Sequence, residues 1–178
     1  MADPLRHTII ALVRDRPGVL NRVTGMIRRR NFNISSLAVG HAETEGLSRM
    51  TFVVEGDEQT LEQVTKQLRK LIDVVKVSTL NDENSVSREL GLIQVSSTPD
   101  SRAEIIQIVS IFRANIIDVA NNSMVIEVTG DEGKLDSLID LLKPFGVGEI
   151  MRSGRLAAPR GSVGKFGDKD MESEHNRR

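Results

Sequence analysis

Hydrophobic positions recur along this chain with two periods, and the switch between them predicts the elements. Residues 9–13 are continuously apolar, as in a strand buried on both faces. Val19, Leu20, Val23, Met26 and Ile27 then return at helical spacing from about Gly18 to Arg30, where Asn31-Phe32-Asn33 breaks the stripe. Residues 34–39 read as a second strand and His41-Ala42-Glu43-Thr44-Glu45-Gly46 as a hairpin loop. In a third strand Met50, Phe52 and Val54 alternate with Arg49 and Thr51. Asp57 is placed to cap the next helix and Glu58 suits its first turn, while Leu61, Val64, Leu68 and Leu71 form its apolar stripe. Residues 74–80 make the closing strand.

The second half repeats this order. Val54-Glu55-Gly56-Asp57-Glu58 followed by Leu61 returns as Val128-Thr129-Gly130-Asp131-Glu132 followed by Leu135, and Asn33-Ile34 returns as Asn115-Ile116. These motifs lie closer together in the second copy, a difference that a shortened hairpin loop absorbs. There, residues 90–95 are the first strand, Ile105, Ile108, Val109 and Phe112 the first helical stripe, and Met124, Ile126 and Val128 the third strand. Leu135, Leu138, Ile139 and Leu142 form the second stripe. Two βαββαβ units predict an α+β fold: two ferredoxin-like units, each an antiparallel sheet with its helices on one face. The expected organisation is a first domain at residues 1–82, a second at 83–158, and a disordered charged tail at 159–178, the composition turning Gly-rich and charged from about Ala157. Units this small leave edge strands and apolar surface uncovered, so at least a homodimer is expected.

The first strand and first helix are joined by Asp15, Arg16, Pro17, Gly18, Val19 and Leu20. The opening N–H groups of a helix have no intrahelical acceptors and carry partial positive charge, so such a turn can hold a small carboxylate. Gly18 permits close approach to the backbone, and Pro17 fixes φ near the helix start. A plain strand-to-helix connection is the alternative reading of these residues. The second copy has Ser96-Ser97-Thr98-Pro99-Asp100-Ser101-Arg102 at this place, which assigns pocket chemistry to the first copy.

Composition narrows the function classes. The 178 residues are 39% hydrophobic and 28% charged, with net charge −1, and no apolar run reaches the length of a membrane span. The first residues have neither a secretory nor a transit pattern, so a cytoplasmic location is expected. Without cysteine there is no disulfide framework, thiolate nucleophile or thiolate-bound metal. Arg28-Arg29-Arg30 sits at a helix C-terminus, where positive charge complements the dipole, and Arg49-Met50-Thr51-Phe52-Val53-Val54 lacks the paired aromatics of an RNA-stacking strand; no nucleic-acid partner is expected. His7, His41 and His175 share no metal-ligand spacing and read as surface residues. Asp57-Glu58 and Asp131-Glu132 read as helix caps rather than acid/base pairs. No nucleophile, metal or phosphate-loop constellation is present, which argues against catalysis by this chain.

In order and spacing, several motifs together resemble the small, regulatory subunits of acetolactate synthase (acetohydroxyacid synthase), whose N-terminal half is an ACT domain. Besides the 15–20 turn they are Asn33-Ile34-Ser35-Ser36-Leu37, Leu47-Ser48-Arg49-Met50-Thr51, Gly56-Asp57-Glu58, Phe112-Arg113-Ala114-Asn115-Ile116-Ile117-Asp118-Val119 and Arg152-Ser153-Gly154. The resemblance implies a noncatalytic subunit that activates a separate catalytic large subunit and makes it sensitive to valine. Thiamine diphosphate, magnesium and FAD are then expected on that partner, and no cofactor in this chain. It also implies that the effector loop falls on residues 15–20, with Asn33 and Ile34 contributed by a neighbouring protomer. Amides around Gly18, Val19 and Leu20 would then receive the amino acid's carboxylate, Asp15 and Asn33 its ammonium group, and Val19, Leu20 and Ile34 its side chain. Burying a valine side chain contributes roughly 1.5–3 kcal/mol, which separates it from glycine but not sharply from leucine or isoleucine. Valine-sensitive members of the family often have neutral Asn where this chain has Asp15. Arg49 and Arg152 are candidates for facing the catalytic partner, with structural ion pairs as the alternative. A freestanding amino-acid sensor acting on another protein would have the same pocket.

Overall fold

Each half of the chain folds as a four-stranded antiparallel sheet because its strands supply one apolar face that two amphipathic helices cover. A computed structural model describes residues 6–30 and 32–161. The first half comprises β1 (Arg6–Arg14), α1 (Val19–Arg29), β2 (Asn33–His41), β3 (Leu47–Glu55), α2 (Glu58–Leu68) and β4 (Val74–Leu80), in the sheet order β2-β3-β1-β4. Ile9, Ala11 and Val13 of β1 and Met50, Phe52 and Val54 of β3 meet Val19, Val23, Met26 and Ile27 of α1 and Val64 and Leu68 of α2. Thr8, Ile10 and Leu12 point to the opposite face and are buried too, which explains why β1 reads as an unbroken apolar run.

The second half repeats the unit with β5 (Ser85–Ser96), α3 (Arg102–Ile111), β6 (Asn115–Val119), β7 (Ser123–Gly130), α4 (Glu132–Leu142) and β8 (Val147–Arg152), ordered β6-β7-β5-β8. Its core joins Ile93, Val95, Met124, Ile126 and Val128 of the sheet to Ile105 and Val109 of α3 and Leu135, Leu138 and Leu142 of α4. The repetition extends to detail. Both second strands shift register just after the repeated Asn-Ile pair, between Ile34 and Ser36 and between Ile116 and Asp118. The predicted caps form as well: the Thr60 amide donates to Asp57 and the Lys134 amide to Asp131, each at 2.8 Å.

The structure differs from the sequence reading at three places. Helix α1 begins at Val19, and Gly18 stands outside it in the left-handed region. Leu71 lies beyond the end of α2 but still packs partly on the core. A strand not foreseen crosses the expected boundary between second domain and tail at 158/159: Leu156–Pro159 forms β9 along the first residues of β5, Ser85 facing Pro159 and Arg88 facing Leu156. This pairing extends β5 back to Ser85, directly after a short 3₁₀ turn at Asp82–Asn84. Just past β9, the Arg160 amide donates to Asn84 O at 2.8 Å. The rest of the predicted tail, residues 162–178, lies outside the described residues.

The two sheets are joined through the segment ahead of β9. The Arg155 amide donates to Ser36 Oγ at 2.7 Å, and its guanidinium reaches Thr8 Oγ1 at 3.1 Å and Glu132 at 3.3 Å. From the first sheet, Arg6 Nη1 meets Glu132 Oε1 at 2.5 Å. Ser36, Glu132, Arg152 and Arg155 contribute to the walls of a cavity of about 320 Å³ at this junction.

Candidate functional site

The turn after β1 is fixed from both sides by backbone hydrogen bonds. The Arg14 amide donates to Asp73 O in the α2–β4 connection and the Asp15 amide to Gly46 O in the β2–β3 hairpin, both at 2.8 Å. Within the turn, the Arg16 amide donates to Arg14 O at 3.1 Å, the Val19 amide to Arg16 O at 3.3 Å, and the Arg22 amide to Gly18 O at 3.0 Å. Among the described residues, none accepts a hydrogen bond from the amides of Gly18, Leu20 or Asn21. The open donor set is therefore displaced from the expected Gly18, Val19 and Leu20, because the Val19 N–H closes the turn itself.

Gly18 occupies the N-cap position of α1 at φ 84° and ψ −5°, with no side chain capping the helix. A Cβ at this position would meet only Arg22 Nη2, at 3.8 Å, so glycine is required here by the backbone angle and not by crowding. The Arg22 guanidinium is drawn aside by an ion pair with the largely buried Asp73 carboxylate.

Of the apolar residues expected to line a ligand, Val19 is only 3% exposed and packs in the core. Leu20 is exposed and Ile34 half-buried. The Asp15 carboxylate lies 3.1 Å from His41 Nδ1. His41 is exposed, as its sequence reading expects, and the signal that places it beside Asp15 is the hairpin register. His41 faces Ser48 and Arg14 faces Leu47, which places the end of β2 next to the end of β1.

Asn33 and Ile34 are at the other end of the sheet. Asn33 faces Glu55, which faces Arg6, and the Asn33 side-chain amide donates to Glu55 Oε2 at 2.7 Å. Strand β2 has 9 residues. At about 3.3 Å per residue, roughly 26 Å separates Asn33 from His41. A single chain thus brings His41 to the Asp15 end of the turn that holds Gly18 and Leu20, and leaves Asn33 and Ile34 at the other end of β2.

The corresponding turn of the second repeat is bridged by its own side chains, although the amides of Ala103 and Glu104 in the first turn of α3 likewise have no acceptor among the described residues. The Thr98 amide donates to Ser101 Oγ at 2.9 Å, the Ser101 amide to Thr98 Oγ1 at 3.2 Å, and the Ser97 amide to Asn122 O at 2.9 Å. Arg102 spans the opening, donating to Ala120 O and Asn121 O at 3.0 Å. The two arginines considered for a partner surface are both in ion pairs. Arg49 meets Glu43 at 2.9 Å, and its hydrogen bond is the leading cause that lowers the Glu43 carboxyl below its ordinary range. Arg152 makes two bonds to Glu89 and one to Asp136, and the Glu89 bonds are the leading cause that holds it more strongly protonated than usual.

Residues 9–76 match a family model described as an AHAS small subunit-like ACT domain, and residues 88–161 one described as the small subunit of acetolactate synthase. A probable acetolactate synthase small subunit of Archaeoglobus fulgidus is 53% identical over 158 residues, covering 89% of this chain and 99% of that protein. The acetolactate synthase small subunit of Bacillus subtilis is 48% identical over 162 residues, covering 90% and 94%. The crystal structure of a small subunit of acetolactate synthase from Thermotoga maritima superimposes with a TM-score of 0.84 at 44% identity, over 89% of this chain and 99% of that one.

Proposed function

The chain belongs to the family of acetolactate synthase small subunits, and from that premise we propose that it is the regulatory partner of a catalytic large subunit and binds valine at the β1–α1 turn. The observation that carries the effector reading is the set of open amides at Gly18, Leu20 and Asn21 in the turn that also carries the Asp15 carboxylate. The amides receive the amino acid's carboxylate, and Asp15 receives its ammonium group in competition with His41. Exposed Leu20 supplies one wall for the side chain, while leucine and isoleucine remain ligands that such a wall does not exclude.

The separation of Asn33 from the turn is what a site shared by two chains requires. Strand β2 is an edge of its sheet. Two copies related by a two-fold axis with their β2 strands antiparallel would set Asn33 and Ile34 of one beside His41 and the turn of the other. The effector then contacts both protomers and favours the dimer arrangement that holds it best. A differential affinity of about 1–3 kcal/mol would change the catalytic subunit's activity or affinity by roughly 5- to 150-fold.

In this reading the chain performs no chemistry itself and works in the cytoplasm. The catalytic subunit carries thiamine diphosphate, magnesium and FAD. Reconstitution with that subunit tests the reading: the chain should raise acetolactate formation, and valine should lower it again. A rate indifferent to the chain, with valine binding retained, would instead favour a freestanding sensor.

A further inference from the structure

Asn33 stands at the head of a continuous series of polar contacts that ends at the joint between the two sheets. Its side-chain amide donates to Glu55 Oε2 at 2.7 Å, and Glu55 Oε1 lies 3.9 Å from Arg6 Nε. Arg6 Nη1 holds Glu132 Oε1 at 2.5 Å. Glu132 sits in the first turn of α4 in the second domain, and its other oxygen meets Arg155 Nη2 at 3.3 Å. Arg155 in turn fastens the segment before β9 to the first sheet through Thr8 Oγ1 and, by its own amide, through Ser36 Oγ. Arg6 is thus shared between a carboxylate of the first domain and one of the second.

We infer that this series is a latch between the domains that effector binding loosens: an effector whose carboxylate, rather than its ammonium group, engages Asn33 draws on the side-chain N–H that Glu55 holds and takes it from Glu55, Glu55 claims more of Arg6, and Arg6 gives up part of its hold on Glu132. The inference rests on the effector reading above, in which Asn33 of one protomer completes the site at the turn of the other. Its physical basis is competition. Glu55 has two carboxylate oxygens, one on the Asn33 amide and the other at a long 3.9 Å from Arg6, so removal of the amide leaves Arg6 as its strongest neighbouring donor. Glu132 keeps Arg155, but the direct strand-to-helix tie from β1 to α4 weakens. The signal thereby passes from the far end of the first sheet to the second domain without requiring any movement of the buried cores.

The Arg155 amide is a reporter of this latch, since its acceptor, Ser36 Oγ, belongs to the other domain. Amide hydrogen exchange measured by NMR on the full chain, with and without saturating valine, should show slowed exchange at Gly18, Leu20 and Asn21 together with exchange at Arg155 faster by about fivefold or more. Glu55→Gln keeps an acceptor for Asn33 but removes the charge that claims Arg6. In that variant valine should still protect the turn and no longer accelerate Arg155. Glu132→Gln provides a second check at a part-exposed position, raising Arg155 exchange without valine and leaving little for valine to add. Protection at the turn with Arg155 unchanged or slower, or an undiminished valine effect in Glu55→Gln, overturns the latch while the effector site stands. No protection at the turn overturns the effector reading and the latch with it.

Discussion

Asn33 and Asn115 occupy the same place in the two repeats, each donating its side-chain amide to the glutamate opposite it on the neighbouring strand, Glu55 at 2.7 Å and Glu127 at 3.0 Å. The equivalence shows that the asparagine belongs first to the architecture of the βαββαβ unit, where it opens the second strand ahead of a bulge. What distinguishes the copies is the turn at the other end of the sheet. Both repeats leave amides of the first helical turn open, but the first has a glycine N-cap and the Asp15 carboxylate in its turn, whereas the second bridges its turn with Ser and Thr hydroxyls.

The pair provides an internally controlled experiment. Replacement of Asn33 by Ala should weaken valine binding by about 5- to 100-fold, the range expected for losing one hydrogen bond to a charged group. Asn115→Ala removes the same architectural bond and should leave valine affinity within about twofold, a change too small to represent a lost ligand contact. Isothermal titration of both variants against valine reads the difference. Equal losses would mean that Asn33 acts only through the fold.

Gly18 supports a second prediction. Gly18→Ala introduces no crowding, since its Cβ would have only Arg22 Nη2 near it, at 3.8 Å, but it places a side chain at φ 84°. A stability loss of about 1–2 kcal/mol is expected, read as a lower denaturant midpoint. Gly18→Asp adds a negative charge to the amides assigned to the ligand's carboxylate, so valine binding should disappear. Unchanged valine affinity in Gly18→Asp would remove the turn from the effector site.

Most of the fold was legible because burial writes itself into periodicity. Leu135, Leu138 and Leu142, spaced by three and four, are all fully buried on α4, and Phe52 and Val54 alternate on β3 as expected. The cap residues Asp57 and Asp131 were legible because a carboxylate ahead of an apolar stripe has a local role. What could not be read was set by contacts distant in sequence. Ala157 and Ala158 carry little apolar signal, and β9 exists because the backbone of β5 offers it hydrogen bonds. Val19 fits both a helical stripe and a ligand wall, and only the packing of α1 on the sheet shows that it contributes to the core. His41 became part of the site through hairpin register, which single-residue reasoning does not contain.

Acid should release the joint between the domains. Burial raises the Glu132 pKa, but the hydrogen bond from Arg6 and the charges of Arg6, Arg155 and Arg152 outweigh it and hold the carboxyl below its ordinary value of about 4.5. A lowered folded-state pKa means that the stabilisation is fully present above about pH 4.5 and is lost as pH falls through the folded value. Glu43 and Asp57, both lowered as well, titrate in the same direction, so the total acid dependence does not isolate Glu132. The difference between wild type and Glu132→Gln does. Denaturant midpoints of the two proteins should be well separated at pH 7 and converge as pH falls through the lowered folded-state value of Glu132. A gap independent of pH would show that the loss in Glu132→Gln is not one of charge.

Gly154 is the position where the joint has least room. Its φ is +79°, and a Cβ there would lie 3.0 Å from both Leu37 O and Ser36 Oγ. Gly154→Ala therefore suffers the same backbone cost as Gly18→Ala, about 1–2 kcal/mol, and must also push the segment away from β2, since the carbonyl of Leu37 is backbone and cannot swing aside. The adjacent Arg155 amide would lose its bond to Ser36 Oγ, and the Arg155 guanidinium its reach to Thr8. The variant should be less stable than Gly18→Ala, with amide exchange at Arg155 accelerated even in native conditions while the core amides of Phe52 and Ile126 stay protected. Stability equal to that of Gly18→Ala, with Arg155 exchange unaltered, would mean that the two domains accommodate a methyl group at their closest approach and that the joint is looser than its geometry requires.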